Sequence, residues 1–542
     1  MIDLILEDYL VSLKEKDELD ILFSDLIKLD DFKVKSVPKT GERQFGVDLL
    51  AEYNNELYMY VIKQGDLTRH TWDSNQNSVR QSIHEILDVY LKVMLPSKYK
   101  NTKKNIIFVT NGLIRDAVRP NWEGFVKEHT KDNIVIDSIL LPELVESIKK
   151  HGFNEVLFGE EKKSDLRKCL YYLDESDYNI SFFERLVDSY FQEIKNSKSE
   201  KQRQRLFSSL QMVLGMVNHN AIEKKRYRIS INFNEYVLLS MWGNMKHEQT
   251  FESAEDTLWL NKFMKVYIEA NEHFIDNLLM FSGTRNGLPF FNPIEYRLLC
   301  FEILGCLSTY GIFLNKTNVS GIKYSSEDVL NLLIMLMNNN YGFSYPVYDN
   351  DGIEISLFLL FILIERNKDE AKTVLNNYFS SIYIYIQNKK YPILERQHNI
   401  AMSVEFREID YSERYSASFL LGVILEWSLL LGETKISKTI EESNLFKDIT
   451  IQNWNCDSSE EINLYNKNLA NNQGFVDILN GITQKEAKII IMDSALIEEF
   501  EKFSFIEYSF PVIGLIISRK NRIPVLPSYW RREFIDNKNK PC

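Results

Sequence analysis

A change of hydrophobic period about 160 residues into the chain constrains the fold more than any other feature. Before it, short runs with the two-residue period of strands alternate with runs of helical period; beyond it, strand signals thin out. Asp17–Leu29 carries Leu19, Leu22, Phe23, Leu26 and Leu29 at helix spacing. Lys33–Val37 alternates like a half-buried strand and stops at Pro38. Val47–Tyr53 and Glu56–Lys63 are strand-like and are joined by Asn54-Asn55, a pair that tolerates the left-handed conformation of a two-residue hairpin turn. Helical spacing returns over Ser78–Met94. Strand-like Asn105–Thr110, helix-like Leu113–His129, strand-like Ile134–Asp137 and helix-like Pro142–Lys150 follow. The order predicts an α/β domain, with a mixed central sheet flanked by helices.

Gly159–Asp165 is a charged break and the expected domain boundary. Past it, Phe182–Ile194, Val329–Met337, Ile355–Ile364, Asp369–Tyr385 and Ser416–Leu431 read as helices, and Asn196–Arg205 as an exposed loop. A second boundary is expected within 340–355. The predicted division is therefore 1–158, 166–345 and 346–542, the last two being helical and the last ending in a basic tail. No fixed-period repeat is present.

Composition narrows the function classes. The chain has 542 residues, 44% of them hydrophobic and 13% aromatic, enough for more than one core. Net charge is −13, so contact with nucleic acid would rest on a local basic patch. The five cysteines are scattered and never spaced as CxxC, which argues against a zinc site or a disulfide framework and for a reducing, cytoplasmic setting. The acidic start, Met-Ile-Asp-Leu-Ile-Leu-Glu-Asp, is unlike a secretory signal. The apolar runs Ile355–Ile364 and Ser418–Gly432 fall short of the roughly 20 residues of a membrane span, so no membrane partner is expected.

The chemistry-bearing constellation is Gly46-Val47-Asp48 followed by Val61-Ile62-Lys63-Gln64. If Asn54-Asn55 is a two-residue turn, Tyr53 faces Glu56, Asp48 faces Val61 and Gly46 faces Lys63. Asp48 and Lys63 then share one face of the hairpin as diagonal neighbours about 7 Å apart, and Gly46 is expected to leave space beside the lysine. A carboxylate there suits Mg²⁺, which polarises a phosphate and activates water. A lysine beside it orients the water and offsets developing charge.

These residues resemble the PD-(D/E)xK restriction-endonuclease superfamily, and most of all its Mrr-type branch. In that family an Asp opens the second strand and (Glu/Gln)-x-Lys closes the third; Asp48, Lys63 and the preceding Gly46 match, while Val61 occupies the Glu/Gln slot. The resemblance covers about 155 residues. It implies a metal site of Asp48 with a first-helix glutamate, for which Glu18 is the expected residue and Glu42 the next choice. Gln64 or Asp66 would compensate for Val61. Gln44, Arg69 and Trp72 are expected against substrate, the arginine on phosphate and the indole on a base. The implied activity is Mg²⁺-dependent (or Mn²⁺-dependent) cleavage of DNA. A nuclease of this type fused to a large helical region resembles effectors of bacterial anti-phage defence, regulated through that region by sensing, oligomerisation or docking to an ATPase or sensor partner, and restrained until a partner or phage signal releases them. The rival reading is a decayed site that only binds nucleic acid, or a protein-interaction scaffold.

Three basic clusters stand out: Lys195–Arg205, Lys224–Arg228 and Arg519–Arg532. Each is a candidate for phosphate contact, set against the ordinary role of a solvated surface. No GxxxxGK[ST], GxGxxG, HExxH or GxSxG motif occurs.

Overall fold

The computed structural model describes residues 2–36, 45–74, 78–131, 133–151, 160–175, 178–247, 254–289, 292–317, 321–394, 396–465, 475–479, 484–491 and 493–536. Gln44 and Glu42 lie outside them. The chain forms two compact units, 1–233 and 234–542.

The first unit opens with α1 (Ile2–Ser12), a π-wound turn at Glu15–Leu19, and α2 (Asp20–Leu29). Then come β1 (Lys33–Ser36), β2 (Leu49–Tyr53), β3 (Glu56–Lys63), the short α3 (Arg69–Asp73) and α4 (Val79–Glu85), which runs on as a π-wound segment Ile86–Met94. β4 (Lys104–Thr110), α5 (Arg119–His129), β5 (Ile134–Ile139) and α6 (Leu141–His151) complete an α/β layer. The five strands lie in chain order; β1, β2 and β3 are antiparallel, and β3, β4 and β5 are parallel. This is the mixed sheet that the sequence predicts.

The hairpin forms as its turn residues dictate. Asn54 and Asn55 both take positive φ, 48° and 62°, which two-residue turns of this hand require. The register pairs Tyr53 with Glu56 and Leu49 with Tyr60, as expected from the turn. β3 is interior to the sheet and sandwiched on both faces. Leu57, Met59 and Val61 join the apolar cluster with Trp72, Val79, Ile83, Phe108, Trp122 and Phe125. On the other face Phe23 of α2 meets Tyr60 edge-on at 4.9 Å. Every residue of β4 is buried, which explains why its sequence is a nearly continuous apolar run.

Helices follow where the sequence suggested a linker: α7 (Glu160–Tyr171) begins inside the expected break, and α8 (Ser181–Lys195) and α9 (Glu200–Glu223) come next. The expected loop 196–205 is mostly the first turns of α9, capped by the Ser199 side chain. α1 packs along α9, and Lys163 of α7 reaches Asp25 of α2 at 3.1 Å, so these helices belong to the body that carries the sheet.

The second unit is mostly helical, as expected. Helices Pro293–Lys316 and Gly352–Glu365 pack against each other at its centre, with Phe419–Leu431 beside Gly352–Glu365. A small sheet of Ala417–Ser418, Thr450–Asn455 and Phe475–Ile478 was not foreseen. Helix Pro293–Lys316, also not singled out from the sequence, is long and apolar enough to cross a bilayer, and 78% of its most apolar stretch is buried inside the unit.

Candidate active site

The β2–β3 hairpin delivers Asp48 and Lys63 to the same place. The Asp48 backbone N–H donates to Tyr60 O at 2.9 Å, and its carboxylate Oδ2 accepts from the Ile62 N–H at 2.8 Å. The side chain thus stands in for the ladder acceptor where β2 has not yet begun. Lys63 Nζ lies 4.0 Å from that same Oδ2 and donates to Glu15 Oε1 at 3.0 Å. Two carboxylates therefore flank one ammonium. The side chains of Asp48, Glu15 and Lys63 keep 28%, 32% and 21% exposure, open enough for a ligand to reach them. Burial pushes the Asp48 carboxyl above the ordinary aspartate range, against the opposing pull of the Lys63 ammonium and the Ile62 N–H.

The glutamate that reaches Lys63 is Glu15, and the expected Glu18 does not reach it. Glu18 folds back on its own turn, accepting from the Lys14 N–H at 2.8 Å and pairing with Lys14 Nζ at 3.7 Å. The cause is the winding: Leu19 N–H bonds to Lys14 O, a five-residue reach that widens this turn and changes which residue faces the strand end.

β3 ends at Lys63 because Gly65 takes φ +77°, which turns the chain out of the sheet. Gln64 is thereby freed from strand alternation and lines a cavity of about 180 Å³ with Glu15, Lys63, Asp66, Thr71 and Phe108. Asp66 also borders the cavity, but its carboxylate is engaged by the Leu113 N–H at 2.8 Å and by Arg115 Nε at 2.7 Å.

Other expected site residues sit elsewhere. Trp72 is 5% exposed and packs edge-on against Trp122 and Phe125, so its indole is a core group that presents no face to a base. Arg69 is exposed at the start of α3 and donates to Ala117 O at 3.2 Å; it does not line the cavity. Val61 is fully buried in the apolar cluster. Gly46 leaves no space beside the lysine: it has φ +83°, and a Cβ there would lie 2.1 Å from Ser82 O. Its role is to let the hairpin approach the α4 backbone.

A residue that sequence reasoning passed over holds the site together. Asn111, just past the strand expected over Asn105–Thr110, is buried and bridges three groups. Its Nδ2 donates to Leu10 O at 2.6 Å and Leu13 O at 3.0 Å, and its Oδ1 accepts from Gly65 N–H at 2.7 Å. It therefore ties Leu10 in α1 and Leu13, two residues before Glu15, to the loop that follows Lys63. Next to it, a Cβ on Gly112 would lie 2.4 Å from Gly65 C, so the two loops touch backbone to backbone.

Asp48 and Glu15, the two carboxylates beside Lys63, are the residues that could hold a divalent cation. Among the described residues no group of three or more His, Cys, Asp or Glu is placed to hold a metal. Comparison with protein-family models, with characterised proteins and with solved structures finds no match to this chain.

Proposed function

We propose that the first unit is a Mg²⁺-dependent nuclease acting on DNA, with Asp48 and Glu15 holding the cation and Lys63 serving the reacting phosphate. The observation that carries this reading is the position of Lys63 Nζ, 3.0 Å from Glu15 and 4.0 Å from Asp48 beside a cavity at the end of a central strand. The cation would supply polarisation of the phosphate and a more acidic bound water. The chain's own groups do the rest. The Ile62 N–H fixes the Asp48 carboxylate, Asn111 fixes the approach of Glu15, and Lys63 offsets charge on the phosphate oxygens. On this reading the large helical part restrains or recruits the nuclease, as the resemblance to anti-phage effectors implies.

Incubation of full-length protein with plasmid and Mg²⁺ or Mn²⁺ tests the proposal. Asp48→Ala and Lys63→Ala should each lower cleavage by about 100-fold or more, in the range that removal of one transition-state contact produces. One observation favours a second reading. Val61 places a buried methyl pair where the resemblance calls for a polar group, which suits a site that binds nucleic acid without cutting it. Calorimetric titration with Mn²⁺ separates the two: a Mn²⁺ response abolished by Asp48→Ala supports the nuclease.

A further inference from the structure

We infer that the turn between α8 and α9 is a contact surface for the phosphate backbone of nucleic acid, built from Lys195, Lys198, Lys201 and Arg205. The inference goes beyond the proposed metal site and does not require catalysis.

The three basic clusters of the sequence have different fates. Lys224 pairs with Asp174 at 2.6 Å, and Arg226 donates to the carbonyls of Asp174 and Glu175. In the C-terminal cluster Arg519 is paired with Glu235, Arg522 with Glu354, Arg531 with Glu426 at 2.7 Å and Arg532 with Glu501 at 3.5 Å. Those named cations are consumed by the fold, which leaves Lys225 as a single exposed lysine between two paired neighbours. At the α8–α9 turn, Lys195, Lys198, Lys201 and Arg205 make no ion pair among the described residues, and Glu200 is the single acid between Lys195 and Arg205. The nearby Glu193 is already paired with Lys162. Lys195, Lys198 and Lys201 are exposed and Arg205 is half-exposed. In a chain of net charge −13, a solvent-facing cluster that finds no internal acid is positioned for an external anion.

Two further features select the kind of anion. Among the described residues, no large exposed apolar side chain lies between Tyr172 and Leu258. A membrane-surface helix needs an apolar face to insert, and a protein contact needs buried anchors; this turn offers neither. Repeated charge without an apolar anchor matches a polyphosphate backbone, which is bound chiefly by counterion release. The turn also sits on the same body as the candidate active site, because α9 packs along α1, the helix that leads into Glu15.

The test is fluorescence anisotropy of full-length protein in EDTA, where no metal-dependent cleavage occurs. The probes are labelled duplex DNA, single-stranded DNA and duplex RNA of equal length, titrated between about 50 and 200 mM salt. Substituting Lys195, Lys198, Lys201 and Arg205 together by Ala should lower the slope of log affinity against log salt by about 3 to 4, and weaken low-salt binding at least tenfold. Lys198→Glu with Lys201→Glu should weaken binding in the same direction and guards against misfolding of the larger variant. A matched control removing exposed Lys435, Lys438, Lys447 and Lys485 from the second unit should leave the slope within about one. The three probes show which nucleic acid is preferred; preference for any of them supports the surface. Failure of the wild-type chain to bind all three, equal loss in the control, or binding to anionic lipid vesicles in place of nucleic acid overturns it. A chain that binds through this turn but never cuts keeps the inference and loses the nuclease reading. A chain that cuts with an unchanged salt slope does the reverse.

Discussion

At the residue scale the site turns on which carboxylates meet Lys63. Glu15 reaches Lys63 at 3.0 Å, and Glu18 bonds only within its own turn. Glu15→Gln should therefore lower metal-dependent cleavage by about 100-fold or more, while Glu18→Gln, which keeps an acceptor for the Lys14 N–H, should leave activity within about twofold and stability within about 0.5 kcal/mol, read by urea denaturation. Asp48 makes a second prediction, this time about stability. Burial lifts its folded-state carboxyl above the unfolded value, so the folded chain holds that proton more tightly. The stability that this proton brings is present at low pH and is lost as pH rises through the raised value. Asp48→Asn keeps an acceptor for the Ile62 N–H and carries no charge. It should melt higher than wild type at neutral pH, with the gap closing below about pH 4, where the aspartate is protonated in both states. Thermal melts across pH check this; a lower melting temperature at pH 7 would contradict it.

At the element scale, the parts of the site encoded locally were legible and those assembled from distant segments were not. Two consecutive asparagines set the hairpin turn, and the turn set the register from Tyr53 opposite Glu56 to Leu49 opposite Tyr60, which brings Asp48 and Lys63 to the same end of the hairpin. Glu15 was hidden because it precedes the helix that the spacing predicts over Asp17–Leu29, in a π-wound turn that the apolar pattern does not mark. Trp72 looked like a substrate contact because it follows the lysine closely, but α3 swings its indole into the core. Asn111 was invisible as a site residue because its partners are Leu10, Leu13 and Gly65, far away in sequence. It is the element-scale joint. Asn111→Ala would orphan two buried carbonyls and an N–H, costing about 2–4 kcal/mol in chemical denaturation. It should also weaken Mn²⁺ binding by loosening Glu15, while Asn111→Asp should restore neither the donor bonds nor the metal affinity.

At the scale of the whole molecule, two units divide the charge of the chain differently. The second unit buries its tail cations. Glu426 accepts from the Trp530 indole at 2.9 Å and from Arg531 Nε at 2.7 Å, and both charged side chains are at most 1% exposed. Such a pair contributes little net stability, but breaking it strands a charge. Arg531→Met should destabilise the chain by about 3–5 kcal/mol, and Glu426→Gln added to it, which removes the stranded charge and keeps an acceptor for the Trp530 indole and the Asn453 amide, should recover much of that loss. Denaturation of the single and double variants reads this directly. The tail read as basic from the sequence because charge runs are visible there and their partners are not; Glu235, Glu354 and Glu426 lie about 100 to 280 residues away.

The central claim is that Asp48, Glu15 and Lys63 act together on a phosphodiester. Its most direct measurement is cleavage of plasmid DNA by the full-length chain in Mg²⁺ or Mn²⁺, compared side by side with Asp48→Ala, Glu15→Gln and Lys63→Ala. The account predicts metal-dependent cleavage by wild type and a loss of about 100-fold or more in each variant. Cleavage that survives all three substitutions would contradict it.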